Sequence, residues 1–260
     1  MPIEPIKVSV ISDTESAVEL VKEFVNDFNK IMDDLNTKSK ERKNSKYSPL
    51  TESQKEEMSE KEIELWEKKA KEGILGNESE LEDFMYQLRN AIFTPVIGST
   101  ISLKDIGLDT SSDYTEGGKI KFDENKFRDA INKDTQKISE LFTKISNSGY
   151  ENYDPDLTSE QRKVKNADQG IFRRINDILN DFVRTTRNGN GKKGIFIEIA
   201  GIEGDSTLTA NNLSKAMQEY DKKIDTLNDL ISKREERYYQ QFTRMETALS
   251  RLQSQLTLFS

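Results

Sequence analysis

The stretch from Leu213 to Phe259, LSKAMQEYDKKIDTLNDLISKREERYYQQFTRMETALSRLQSQLTLF, decides the architecture of this chain. Its apolar positions are Leu213, Met217, Tyr220, Ile224, Leu227 and Ile231, then Tyr238, Phe242, Met245, Leu249, Leu252, Leu256 and Phe259. Steps of four and three alternate as far as Arg234, two fours follow through Tyr238 to Phe242, and the alternation then resumes. That is a heptad seam with one stutter. At ~1.5 Å per residue such a helix runs roughly 70 Å, well beyond the width of a compact domain. Its stripe therefore calls for a partner along its length, and the chain is expected to end in a rod whose work is assembly.

The composition agrees with exposed helices. Of 260 residues, 33% are hydrophobic and another 33% are charged, enough for one or two domains but poor in core material. The net charge of −8 argues against a nucleic-acid partner. No run of ~18 apolar residues is present to span a membrane. The opening Met1-Pro2-Ile3-Glu4 lacks the basic and apolar regions of a secretory signal. Cysteine and histidine are both absent. Disulfides, thiolate sites, the usual zinc sites and the Ser-His-Asp and Cys-His arrangements are thereby excluded.

Ahead of the rod, Lys7–Ile11 reads as a short strand or extended entry segment. Asp13 is placed to cap a helix with Val18, Val21, Val25, Phe28, Met32 and Leu35 on one face, as an amphipathic core helix or a coiled-coil strand. Residues Thr37 to Met58 read as a surface loop. Ser59 with Glu62 forms a capping box that opens a helix through Ile63, Trp66 and Ala70, with Gly73 as its left-handed stop. Trp66 is expected to anchor core. Asn77 with Glu80 starts a further helix carrying Leu81, Phe84, Leu88 and Ile92, ended by Pro95 and Gly98.

Ile106–Asp109 and Lys119–Asp123 read as a small hairpin turned at Gly117-Gly118. Asp123 caps a helix with Phe127, Ala130 and Ile131 inward, and Ile138, Leu141, Phe142 and Ile145 extend that patch. A polar loop spans Ser146 to Leu157. One helix is then expected from about Glu160 to Thr186, with Val164, Ile171, Ile175, Ile178 and Phe182 on one side. Arg173, Arg174, Arg184 and Arg187 are assigned to its solvated face. Ile195–Ile199 reads as a strand, and the rod is capped near Asp205 or Ser206 after turns at Gly201 and Gly204.

No chemical motif survives inspection. The run Gly189–Gly194 has the glycines of a phosphate loop but no Ser or Thr after Lys192, and it follows a helix and precedes the expected strand, the reverse of the order required. Asp109, Ser111 and Asp113 imitate calcium ligands, but Tyr114 occupies the position where the sharp turn needs glycine. An enzyme is not expected, nor is a metal or cofactor.

Two blocks of sequence carry a resemblance. Tyr47–Leu75 reads YSPLTESQKEEMSEKEIELWEKKAKEGIL, with Trp66-Glu67, Ala70-Lys71 and the Gly73-Ile74-Leu75 ending. Ile101–Phe142 contains Asp105-Ile106-Gly107, Asp123-Glu124 and Leu141-Phe142. Both, in this order, resemble the C-terminal region of the flagellar hook-associated protein 2 family, the filament cap. Phe24-Val25, Phe28-Asn29, Tyr238 and Phe242 fit as well, so the resemblance extends from about Ile6 to Phe259.

It implies a mainly α protein, an elongated helical bundle and coiled coil with a small β-hairpin. Residues 1–12 would return from an upstream head domain, 13–205 would form a helical leg-proximal domain with a small β part, and 206–260 the C-terminal coiled-coil helix. It further implies a secreted, non-enzymatic homo-oligomer, commonly a pentamer, at the distal end of the bacterial flagellum. There it would promote flagellin polymerisation and prevent subunit loss, touching flagellin and neighbouring hook-associated proteins. Export would use the flagellar type III apparatus. The expected interface is Tyr238, Phe242, Met245, Leu249, Leu252, Leu256 and Phe259. The competing reading is a coiled-coil scaffold or surface adhesin for cell adhesion, using the loops Thr37–Met58 and Ser146–Leu157 to bind host ligands.

Overall fold

The computed structural model describes residues 14–110 and 117–257, with side chains through residue 254. The segment Lys7–Ile11 and the capping residue Asp13 lie outside the described residues. The architecture is mainly α: eleven helices and a two-stranded antiparallel hairpin among the described residues. The chain divides between Ile195 and Phe196 into two compact units.

In the first unit, α1 (Thr14–Lys40) buries Val18, Val21, Val25, Phe28 and Met32 at helical spacing. It runs past Thr37 because nothing there breaks it, and Lys38 and Lys40 sit favourably against the negative end of its dipole. The expected loop from Thr37 to Met58 is thus partly helical. It also contains α2 (Glu52–Glu56), opened by a capping box between Thr51 and Gln54. The box at Ser59 and Glu62 forms as expected and starts α3 (Glu60–Lys71).

No residue of α3 is buried. Trp66 is half-buried, packs edge-on against Tyr47 at 4.8 Å and donates its indole N–H to Ser48 O at 2.8 Å. It anchors a local excursion rather than the main core. The two ends of that excursion meet: Asn77 N donates to Ser39 O at 3.1 Å, and Gly73 N donates to Glu41 Oε2 at 3.3 Å. A Cβ on Gly73, at φ +70°, would lie 2.3 Å from the Arg42 carbonyl carbon, so only glycine fits.

The next helix, α4 (Ser79–Phe93), buries Leu81, Phe84, Leu88, Ala91 and Ile92. Asn77 does not cap it. It takes the left-handed conformation at φ 60°, and Glu78 stands at the N-cap without a side-chain bond. A single 3₁₀ turn at Lys104–Ile106 leads into β1 (Leu108–Thr110), paired with β2 (Ile120–Phe122) in the register Leu108–Phe122, Asp109–Lys121 and Thr110–Ile120. The other edge of β2 is closed by a side chain of α1. Asn29 donates through Nδ2 to Ile120 O at 2.9 Å and accepts from Ile120 N at 2.8 Å. One amide thus satisfies both backbone groups that an open edge would leave bare.

Asp123 caps α5 (Glu124–Lys133), accepting from Lys126 N at 3.0 Å. Phe127 and Ile131 of α5 and Ile138, Leu141 and Phe142 of α6 (Thr135–Thr143) are buried. Ala130 is half-buried, and Ile145 is exposed because α6 ends at Thr143, before the helix can carry it round to the buried face.

The long helix expected from Glu160 is two helices, α7 (Ser159–Asp168) and α8 (Ile171–Val183). The break has a packing cause. A Cβ at Gly170 would lie 2.6 Å from the Phe142 carbonyl, and Gly170 N donates to Lys144 O at 2.8 Å. Backbone presses on backbone there, and the helix gives way. Ile171, Ile178 and Phe182 face inward, Ile175 is half-buried, and Val164 is exposed on the far side of α7.

The four arginines do not form a solvated face. Arg174 is buried and its guanidinium donates to the carbonyls of Ala91, Thr94, Pro95 and Ala167, at the ends of α4 and α7. Burial draws its pKa below the ordinary value, against the opposing charge of Asp168. Arg173, Arg184 and Arg187 likewise donate to backbone carbonyls, of Thr143, of Thr186 and Lys192, and of Gly191. Arg173 and Arg174 thus fasten carbonyls at helix ends, while Arg184 and Arg187 brace the loop that follows α8.

In the second unit, Phe196–Ala200 belongs to α9 (Ile195–Ala200), so the expected strand is a helix. A short α10 (Thr207–Ala210) follows, then α11 (Asn212–Thr257), 46 residues in one piece. The start of α11 is set by Asn211 rather than by Asp205 or Ser206. Its Oδ1 accepts from Ser214 N at 2.7 Å, while Nδ2 donates to Thr207 O and Leu208 O at 2.9 Å and to Ala200 O at 3.2 Å.

Candidate assembly interface

At ~1.5 Å per residue, a helix of the length of α11 reaches roughly 70 Å. Four of its hydroxyls are satisfied within the helix: Thr226 donates to Lys222 O, Thr243 to Tyr239 O, Thr247 to Thr243 O and Ser254 to Ser250 O. Such back-bonded side chains can lie against a neighbour without costing an unmade hydrogen bond.

Along this rod every described seam residue is exposed, from Leu213 and Met217 through Tyr220, Ile224, Leu227 and Ile231 to Tyr238, Phe242, Met245, Leu249 and Leu252. Of the seven expected interface residues, Tyr238, Phe242, Met245, Leu249 and Leu252 lie on one continuous helix. The Leu256 side chain and Phe259 lie outside the described residues. A stripe of this length is far larger than the scattered apolar residues of an ordinary surface.

Two residues that a strict heptad omits join it. Leu230 and Tyr239 are also exposed, and they flank the stutter beside Ile231 and Tyr238. A stutter locally unwinds the seam and shifts which side chains face a neighbour. The doubled apolar pairs Leu230-Ile231 and Tyr238-Tyr239 were the sequence signal for this widening. The helix also changes character there. Before Tyr238 it is densely charged, and Lys223 Nζ sits 5.1 Å above the Tyr220 ring. From Tyr238 to Thr257 only Arg244, Glu246 and Arg251 carry charge.

Among the described residues no three acidic side chains are grouped to hold a metal ion, and no helix is long and apolar enough to cross a membrane. The calcium-like stretch falls mostly outside the described residues. The glycine run Gly189–Gly194 is followed by α9, so a helix and not a strand comes after it. The missing Ser or Thr still separates it from a phosphate loop.

The loop Ser146–Leu157 is tied down along its length. Ser146 Oγ bonds Asp168 Oδ1, Lys165 Nζ donates to Asn152 O at 2.7 Å and Arg162 donates to Pro155 O at 2.8 Å. Tyr153 donates its hydroxyl to Asp181 at 2.8 Å, and burial together with that bond raises its pKa well above the ordinary value. Burial alone would raise the Asp168 carboxyl, but the donors from Ser146 and Asn147 outweigh it and lower the pKa.

The pattern of the family described as flagellar hook-associated protein 2 C-terminus matches residues 2–254. The chain belongs to this family. A flagellar hook-associated protein 2 from Halalkalibacterium halodurans is 34% identical over 254 residues, covering 95% of this chain and 45% of that protein. Another, from Thermotoga maritima, is 29% identical over 261 residues, covering 98% of this chain and 34% of that protein. The chain thus spans less than half the length of these two hook-associated relatives. No solved structure matches. In this member of the hook-associated family the block around Phe127 packs into the core, the block around Trp66 forms a local excursion, and α11 carries the exposed stripe.

Proposed function

We propose that the chain works as part of a flagellar filament cap, a structural subunit at the distal end of the bacterial flagellum. In this reading it acts with further copies of itself, pentameric in the complete protein, to promote flagellin polymerisation and to prevent loss of subunits. Its partners are flagellin and neighbouring hook-associated proteins, its place is outside the cell, and its export is by the flagellar type III apparatus. It is read as a structural protein and not as an enzyme.

The observation that carries this reading is the exposed seam of α11 in a chain that belongs to the hook-associated protein 2 family. A long helix with an open apolar stripe gains stability only when a neighbour covers it. The five described residues Tyr238, Phe242, Met245, Leu249 and Leu252, extended by Leu256 and Phe259, are assigned to that contact. Domain roles follow the same reading: a leg-proximal helical domain up to residue 205 and a coiled-coil helix from 206.

The test is a double change, Leu249→Asp and Leu252→Asp, in cells whose motility depends on the protein. Filament growth and recovery of cap assemblies should be lost, while circular dichroism of the first unit stays as in the parent. Motile cells with normal filaments would remove the seam from the assignment.

A further inference from the structure

After α8 the chain carries two Asn-Gly steps in succession, Asn188-Gly189 and Asn190-Gly191. Glycine after asparagine leaves the following backbone nitrogen unhindered for attack on the carboxamide, and an exposed loop tip can reach the geometry required. The fold treats the two steps differently. Asn188 is half-buried and uses its carboxamide at both ends. Oδ1 accepts from Asn190 N at 3.1 Å and from Lys192 N at 2.8 Å, while Nδ2 donates to Asp156 Oδ1 at 3.1 Å. Asn190 is exposed, and its carboxamide makes a single bond, Nδ2 to Asp156 Oδ1 at 3.1 Å.

Around Gly191 there is open space. Its N–H closes the turn onto Asn188 O at 2.9 Å, so reaction waits on the opening of this exposed turn and release of the single Nδ2 bond to Asp156. Attack at Asn188 would instead need three side-chain bonds broken together with the Gly189 N–H bond to Asp156.

We propose that Asn190 is a site of spontaneous deamidation, with Asn188 spared, and that the product releases this loop from Asp156. Gly191 N loses its proton to solvent and bonds to Asn190 Cγ. The Cγ–Nδ2 bond breaks, and the leaving NH2 takes a proton from water and departs as ammonia, giving a five-membered imide. A water molecule then opens either carbonyl, so position 190 becomes aspartate or its β-linked isomer. No further reactant is needed.

In the aspartate product the carboxylate stands where Nδ2 had donated to Asp156, and in the β-linked isomer Cγ joins the backbone and the Nδ2 donor is lost outright. In the first case a donor is replaced by a like charge at hydrogen-bonding distance, which the loop relieves only by moving away. Asp156 holds the loop through Asn188 Nδ2, Gly189 N and Asn190 Nδ2. Losing one of these and gaining repulsion weakens the remaining two.

The experiment is to hold the purified chain at mildly alkaline pH and map its peptides by mass spectrometry over time, beside the same chain unfolded in denaturant. Conversion at residue 190 should run several-fold ahead of residue 188 in the folded protein, and the two should approach each other in the unfolded one. Equal conversion when folded, conversion at 188 first, or none at 190 would each overturn the assignment. Asn190→Gln, whose extra methylene disfavours ring closure, should stay unmodified at 190. Asn190→Asp should speed amide hydrogen exchange at Gly189 and Gly191 without changing that of α8. Unchanged exchange in that variant would overturn the proposed release of the loop.

Discussion

Phe127, Phe182 and Ile106 of the first unit are each 1% exposed, whereas Phe242, Leu249 and Ile224 of α11 are 55–60% exposed. The residue types are the same and the periodicity is as regular in both places. In the first unit the apolar faces of α1, α4, α5, α6 and α8 have one another, and arginines close the helix ends. On α11 the stripe has no such cover among the described residues. Periodicity therefore announces that a face needs a neighbour, and only the surrounding chain tells whether that neighbour is in cis.

Substitutions can break or sharpen this contrast. The largest effect is expected from Phe127→Ala, which opens a cavity beside Phe122 and should cost about 3–5 kcal/mol in chemical denaturation of the first unit. Arg174→Met should follow at about 2–3 kcal/mol, because four carbonyls lose their donor. Arg174→Lys should recover only part of that, since an ammonium cannot reproduce the guanidinium fork.

Ser59→Ala should cost about 1 kcal/mol and act locally on α3. Trp66, the single tryptophan, would report the change by fluorescence at lower denaturant than the loss of the core. Leu249→Ala should shift the unfolding of the isolated chain by no more than about 0.5 kcal/mol, since that side chain already lies in water. A large loss there would mean that the seam is covered in cis, and the contrast would fail.

Alkaline pH gives a further handle on the first unit. Tyr153 has its pKa raised in the fold, so its contribution is complete below the unfolded value of about 10 and is lost as pH rises through the higher folded value. Melting temperature should fall across that window, and Tyr153→Phe should flatten the fall.

Much of the fold was legible in residue order. The faces of α1, α4 and α5 and the hairpin stood out because repeated spacing or alternation identifies an element without reference to its neighbours. The misreadings have a common physical cause. Ile195–Ile199 is a short apolar run, and such runs fit a strand or a buried helix equally well. The break at Gly170 depends on the Phe142 backbone pressing from elsewhere, and Arg174 reaches Ala91, Thr94 and Pro95 about 80 positions away. The Thr51–Gln54 box was present in the sequence, but charged and polar surroundings concealed a helix of only five residues. For the candidate interface the stripe was readable, and its widening at Leu230 and Tyr239 was signalled by the doubled apolar pairs but discarded by a fixed heptad register.

The excursion between Arg42 and Gly73 begins and ends at the same place, stitched by Asn77 to Ser39 and by Gly73 to Glu41. A segment whose termini already touch adds little to the entropy of closing the chain, whatever its length. The stretch is in effect a cassette: its contents can be enlarged, trimmed or exchanged for a foreign module while the stitch, and the helices on either side of it, keep their places.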